Sequence, residues 1–400
     1  MIAICSLLIM LIISFAVYRY YADITHPAVL FSFVWLAVMF FNVTLAGYIQ
    51  TSDSAMCFVL SMILLFLAAS VMTKNIRIKV KYRPISYRIV KALFIITFVI
   101  QTLAVLIMLR EYLASGKSLV EFIANLRAVQ MYPDDNSYPG LLSNFIIMRV
   151  IKNNYLFNYI LLVTFALLSD KKKMIASNLL VRLIFATLMG SRWQGVVDIL
   201  SLSFIFIDRS KDSFKFIFKY GFLFIVFFML AGMIRSESGF SFQYFLMYIF
   251  GGLPAFSVFY NNPDFIYLPK TFVYIEQMLG MASDGAFNIV ADSIFLTPEI
   301  KTNTYTIFGV LYKYFGTFGS ACYFIAFGAM MSFLYKYRFR NILLSVLYYI
   351  SIPSVFLSVF TEATLSLAPI YVRTIFVILI IQLVFKVKHA PSAVSNNSGL

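Results

Sequence analysis

Five arginines stand where apolar segments meet polar ones: Arg127, Arg149, Arg192, Arg235 and Arg373. A guanidinium presents fixed parallel donors that match phosphate oxygens in pairs, and it stays charged at any physiological pH. Several of them around one cavity would suit a phosphate-bearing ligand. Arg192 is the sharpest case, in the short turn Gly190-Ser191-Arg192-Trp193-Gln194 between two apolar runs. An arginine at a membrane boundary is costly unless solvated or paired. It therefore either snorkels to headgroups or points into an outward cavity. Arg235 closes another apolar run. Arg373 lies just inside the last one, near Glu362 across a short turn, where an ion pair is open to a structural or a functional role. The only histidines, His26 and His389, both fall on the inner side, so an outer-face reaction has no histidine base. Cys5, Cys57 and Cys322 form neither a metal spacing nor a disulfide framework, and no nucleotide-phosphate loop or zinc motif is present.

These residues need a scaffold, and the composition says which kind. Of 400 residues, 62% are hydrophobic and 12% charged, more apolar surface than a soluble domain of this length could hide. The net charge of +15 sits in short clusters between apolar runs. That is the pattern of membrane orientation signals, and no nucleic-acid partner is expected. Runs long enough to span fall at about 1–18, 27–49, 55–73, 92–111, 153–169, 174–190, 194–208, 216–234, 314–335, 341–360 and 368–386. The first run lacks a basic start and a small-residue cleavage site, so it is read as a span and not as a cleaved leader. With about eleven spans, the basic clusters at 74–91, 171–173, 209–219, 336–340 and 386–388 all fall on one side. The N-terminus is then outside and the C-terminus inside. Phe240 to Tyr260 is apolar enough to span, but a crossing there would turn every later basic cluster outward. It reads instead as an interfacial or re-entrant helix broken near Gly251-Gly252-Leu253-Pro254. The fold class is all-α: one polytopic integral-membrane domain over 1–400 with two large outer loops, 112–152 and 235–306, carrying amphipathic helices.

In the first loop, Ser118-Leu119-Val120-Glu121 fits a capping box. Leu119, Phe122, Ile123 and Leu126 then share one helical face, and this helix is expected to lie on the bilayer surface. A turn-rich tail, Tyr132 to Gly140, follows. Its Asp134-Asp135 pair reads first as turn chemistry and only weakly as a cation site. The second loop ends Lys301-Thr302-Asn303-Thr304-Tyr305-Thr306. Aromatic rings stack on sugar faces and amides bond hydroxyls, which makes Asn303 and Tyr305 substrate-binding candidates; a lid on lipid headgroups fits equally.

Gly190-Ser191-Arg192 closing one span, the Asn303-to-Thr306 segment, and Tyr312 through Phe315-Gly316-Thr317-Phe318-Gly319 opening the next together resemble the O-antigen polymerases. These are the Wzy-type oligosaccharide repeat-unit polymerases of bacterial polysaccharide pathways. Trp193 and Tyr314 depart from the residues often found at those places. The resemblance implies a metal-independent membrane glycosyltransferase without a cofactor, in the bacterial inner membrane, with N-terminus and large loops periplasmic and C-terminus cytoplasmic. Its substrate would be undecaprenyl-pyrophosphate-linked oligosaccharide, polymerised with inversion into O antigen or a related surface polysaccharide. A chain-length regulator and a flippase would be its partners. The five arginines would stabilise the leaving pyrophosphate, each worth on the order of 10²–10³ in rate. Glu237 or Glu362 would be the base for the acceptor hydroxyl. A lipid-linked oligosaccharide flippase and an O-antigen ligase are the alternatives. A transporter would need mid-span charge, which is sparse here, Arg182 being the clearest case.

Overall fold

The computed structural model describes residues 2–44, 51–80, 84–131, 144–189, 191–210, 226, 250–261, 294–295, 301–302, 305–360 and 367–384. Their regular secondary structure is helical apart from one two-residue antiparallel pairing, Ile294–Phe295 (β1) with Lys301–Thr302 (β2). The helices are α1 Ile2–Tyr21, α2 Pro27–Thr44, α3 Asp53–Lys74, α4 Tyr87–Ser115, α5 Leu119–Met131, α6 Phe145–Leu168, α7 Lys172–Leu188 and α8 Arg192–Asp208. They continue as α9 Gly252–Tyr260, α10 Thr306–Tyr337, α11 Ile342–Ser351, α12 Pro353–Leu357 and α13 Ala368–Val384. Among the described residues, α1, α2, α3, α4, α6 and α10 are long and apolar enough to cross a membrane. Helices α7, α8 and α13 have 17 residues each, about 25 Å of helix. The expected span at 216–234 lies almost wholly outside the described residues.

The bundle is inverted relative to a soluble one. Ile12, Phe15, Leu103, Leu106, Val372 and Phe376 are among many large apolar side chains exposed on its flank, a surface that only lipid solvates cheaply. Its interior is built on α3 and α10. Gly328 lets their backbones meet: a Cβ there would lie 2.2 Å from the Phe66 carbonyl oxygen. The Ser70 hydroxyl donates to the Gly328 carbonyl at 3.1 Å across the same seam. Small residues at a helix crossing are how helices associate where lipid tails are as apolar as leucine. Phe31, Phe66 and Phe327 pack around this seam.

Local signals set the helix ends. Ser52 caps α3, accepting from the Ala55 amide, and Asn341 caps α11, accepting from the Leu343 amide at 2.9 Å. Gly116, at φ 62°, ends α4 in the left-handed conformation. The capping box of α5 forms as its sequence requires: the Ser118 amide donates to Glu121 at 3.0 Å and the Glu121 amide to Ser118 Oγ at 3.3 Å. Its apolar face does not lie on lipid, however. Phe122 and Leu126 are fully buried against side chains of α4, α6 and α7, including Met108, Tyr155 and Phe185. A periodic apolar face specifies that it must be covered, but not by what. Helix α6 begins at Phe145.

The basic clusters converge on one end of the bundle. Lys336 Nζ donates to the carbonyls of Lys74 and Ile76. Arg338 pairs with Asp208 at 2.9 Å, and Arg209 bonds Asp170. The α1–α2 turn joins them. Tyr335 donates to Asp23, and His26 stacks on Tyr21 at 3.5 Å between centroids. His26 Nδ1 accepts from the Ala28 amide at 3.2 Å, which requires that nitrogen to be unprotonated. Burial pushes the imidazole down to about 3; Asp23 opposes this, while Arg338 and Lys74 add to it. Burial alone would raise the Asp23 carboxyl, but the Tyr335 and Thr25 hydroxyls, the Thr25 amide and Arg338 outweigh it and hold it below its usual range.

Both groups carry the same sign. An unfolded histidine titrates near 6.5. The stability from a depressed folded value is therefore complete above about pH 6.5 and is lost as the pH falls from there toward 3. Asp23 adds stability that is present above the unfolded aspartate value and lost below it. Thermal stability in detergent is expected to drop from pH 6.5 to 4, with a slope of up to about 1.4 kcal/mol per pH unit. His26→Gln should flatten that slope; an unchanged slope would assign the acid sensitivity elsewhere.

Candidate functional site: two short helices at the end opposite the basic clusters

At the other end of the bundle two short helical segments meet. Helix α9 has nine residues, about 13 Å of helix. Its first residue, Gly252, follows Gly251, whose backbone stays near-helical (φ −69°, ψ −12°); residues 240–249 of the expected interfacial segment lie outside the described residues. Helix α10 is interrupted at Gly316, whose φ 63° and ψ −167° no helix contains. That backbone region is open essentially to glycine alone. The break separates a buried segment, Thr306–Phe315, from a segment of spanning length, Thr317–Tyr337. The Ser320 hydroxyl donates to the Gly316 carbonyl at 2.6 Å, just after the break. Non-helical backbone at membrane depth is tolerated only where protein buries it or it lines a cavity.

The two segments pack through aromatic side chains. The Tyr312 ring stands 4.8 Å from Tyr260, 5.4 Å from Phe58 and 6.2 Å from Phe256. Behind them Trp35 meets Phe308 at 4.6 Å and donates to Ser358 Oγ at 3.1 Å. The segments also join at backbone level. A Cβ on Gly252 would lie 3.0 Å from both Thr306 Cγ2 and the Val359 carbonyl oxygen. The Ile307 amide donates to the Ser358 carbonyl at 2.8 Å. Thr306 holds φ 62°, an outlier for a β-branched residue. It is fully buried, and its hydroxyl has no hydrogen-bond partner among the described residues. A strained threonine with an orphaned hydroxyl is the kind of local cost that clusters at functional sites.

Tyr305 is buried here, 6.1 Å from the Phe259 ring. Of the other sequence-chosen residues, Arg149 is exposed on the first turns of α6, and Arg373 is half-buried on α13 with one guanidinium nitrogen, Nη1, lacking a partner. Arg192 is the first residue of α8 and Arg127 lies on α5, but their side chains lie outside the described residues. Arg235, Glu237, Asn303, Glu362 and the Asp134-Asp135 pair also lie outside them. The starts of α6, α8 and α13 all sit at the end opposite the basic clusters. That places the backbones of Arg149, Arg192 and Arg373 on one side of the molecule without bringing their side chains together.

Two residues escaped the sequence reading. Lys313 is buried on the short half of α10, its ammonium 5.9 Å from the Phe259 and Tyr314 ring centroids. Its position between Tyr312 and Tyr314 was the available signal. The second is Asp198. Arg182, fully buried, forms a two-pronged bond with it: Nε to Oδ2 and Nη2 to Oδ1, both 2.9 Å. Arg182 Nη1 donates to the Tyr155 carbonyl at 2.7 Å and to Asn158 Oδ1 at 3.1 Å. The Tyr155 hydroxyl donates to Asp198 at 2.8 Å. Around them Asn158 donates to Thr97, and Asn154 to Gln101. This ties α4, α6, α7 and α8 by polar contacts where apolar packing gives helices little preference. Among the described residues no group of three or more His, Cys, Asp or Glu could hold a metal ion.

No family model, curated protein or solved structure matches this chain. Its class is therefore set by the fold alone: a helical protein with membrane-embedded character.

Proposed function

We propose that the chain is an O-antigen polymerase of the Wzy type, a glycosyltransferase of the bacterial inner membrane. It would have about eleven spans, its N-terminus in the periplasm and its C-terminus in the cytoplasm. One observation carries the reading. The basic clusters gather at one end of the bundle. The sequence roots both long loops at the other end, and there α9 begins at Gly252 and α10 is broken at Gly316. A non-helical junction beneath a polar loop suits the transfer of a large sugar chain at the membrane surface. Phe315-Gly316, part of the motif that carries the resemblance, is where the α10 break falls.

In the proposed reaction, an acceptor sugar hydroxyl attacks the anomeric carbon of the growing chain. A new C–O bond forms as the bond to the lipid pyrophosphate breaks. The hydroxyl proton passes to Glu237 or Glu362, and the pyrophosphate leaves on undecaprenol. Arg192 and Arg235, with Arg149, Arg127 and Arg373, would hold the charge that develops on the leaving oxygens. Tyr305 and Asn303 would hold sugar. The flippase reading loses its best residue, because every Arg182 donor group is already engaged within the bundle.

Deletion of the gene in its host tests the reading. The expected result is collapse of the lipopolysaccharide ladder to core plus one repeat, restored by the wild-type chain and not by Arg192→Ala. Bare core without any repeat would point to a flippase or ligase and overturn the proposal.

A further inference from the structure

We propose that the buried Arg182–Asp198 pair is a positioning device that fixes how the α7–α8 turn presents Arg192; this rests on the anion-binding role proposed for Arg192. The pair lies at matched depth on the two helices. Arg182 is six residues before the end of α7, and Asp198 is six residues after the start of α8, about 9 Å of helix on each side. The turn between them is short and internally bonded. The Met189 amide donates to the Phe185 carbonyl at 2.9 Å and the Ser191 amide to the Ala186 carbonyl at 2.8 Å. Phe185, Ala186 and Leu188 on one helix, and Val196 and Val197 on the other, are buried between pair and turn. A constraint at the pair is therefore carried along packed helix to residue 192.

The form of the contact matters more than its strength. Apolar packing holds helices together without fixing their rotation. A two-pronged guanidinium–carboxylate bond has one geometry. Here both planes are fixed again from α6: the Tyr155 hydroxyl reaches Asp198, the Tyr155 carbonyl and Asn158 take Arg182 Nη1, and the guanidinium carbon lies 3.8 Å from the Tyr155 ring centroid. Rotation and axial sliding of α8 against α6 and α7 are both blocked. Replacing such a pair by apolar residues of similar size is often neutral for stability, so stability and positioning can be separated.

The test uses the full chain in native membranes. Cys5, Cys57 and Cys322 are replaced by serine, Ser191→Cys is introduced, and its rate of reaction with a membrane-impermeant maleimide is measured. Arg182→Met/Asp198→Leu is expected to accumulate and melt like the parent. Maleimide labelling at residue 191 should rise roughly ten-fold as the turn loosens. In the cysteine-intact chain the same double variant should lower polymer output about 100-fold, the scale on which misplacing a reacting group acts, with kcat reduced and KM little changed. Asp198→Asn should give the same labelling if it folds; should it fail to fold, the double variant decides. Unchanged labelling would overturn the proposal, as would faster labelling with an intact ladder, or failure of the double variant to fold, which would make the pair a plain stabiliser. Labelling is independent of polymerisation. If the parent chain makes no polymer at all, the function proposed for it falls while the labelling still reports on the pair.

Discussion

Gly328→Val is expected to abolish accumulation of the folded protein, and Gly328→Ala to lower its stability by about 3 kcal/mol, seen as a melting shift of several degrees in detergent. The cause is the closeness of α3 and α10. A Cβ at Gly328 would sit 2.2 Å from the Phe66 carbonyl oxygen, 2.9 Å from its carbonyl carbon and 3.1 Å from its Cα. All three are backbone atoms, so no side chain can rotate away. The two helices must separate, and the separation reaches Phe31, Phe66 and Phe327, which pack around the seam. It also stretches the Ser70-to-Gly328 hydrogen bond. Ile325→Leu, a volume-conserving change at an exposed position on the same helix, should have little effect. A Gly328→Ala protein as stable as its parent would show that the seam can open freely, and α3–α10 could then no longer be regarded as the rigid centre of the bundle.

That seam shows what the sequence could and could not convey. Apolar runs and basic clusters are one-dimensional signals, and α1 to α4, α6 to α8, α10 and α13 follow them, while the run expected as one span at 341–360 is divided between α11 and α12. The Ser118–Glu121 capping box is local chemistry and was equally legible. Partnership is not local. Arg182 was visible as a mid-span charge, but Asp198 lay unremarked in a run chosen for its hydrophobicity, so the pairing was not foreseen. The face of α5 was readable as apolar, yet whether lipid or Tyr155 and Phe185 would cover it depends on how α4, α6 and α7 come together. Gly316 lay inside a motif noted for resemblance, and its backbone role stayed hidden because an apolar run shows the same pattern whether or not it is interrupted. Of the candidate site, Tyr305 could be chosen from its chemistry. Thr306 could not, because its strain comes from the meeting of Gly252, Ser358 and Val359, three residues distant in sequence.

Gly316→Ala is expected to leave a protein that still accumulates but to lower polymer output about 100-fold, the scale of a misplaced reacting group. The residue sits at φ 63°, ψ −167°, where a side chain costs about 1–3 kcal/mol. The chain can relieve that cost by continuing the helix through the break, since Thr306–Phe315 and Thr317–Tyr337 are both helical already. Relief of that kind would swing the shorter segment. Tyr312 would leave Tyr260 and Phe58, Lys313 would leave its buried place, and Thr306 would lose its fit against Gly252. The spanning half and its seam with α3 would remain, which is why folding should survive. Gly316→Asn should not rescue, because asparagine tolerates the ordinary left-handed region and not the extended ψ found here. Thr317→Ala, next to the break but exposed, serves as the control and should keep a full ladder. A full ladder from Gly316→Ala would mean that the break is a packing accommodation, and the case for the junction of α9 and α10 as the working part of the molecule would fail with it.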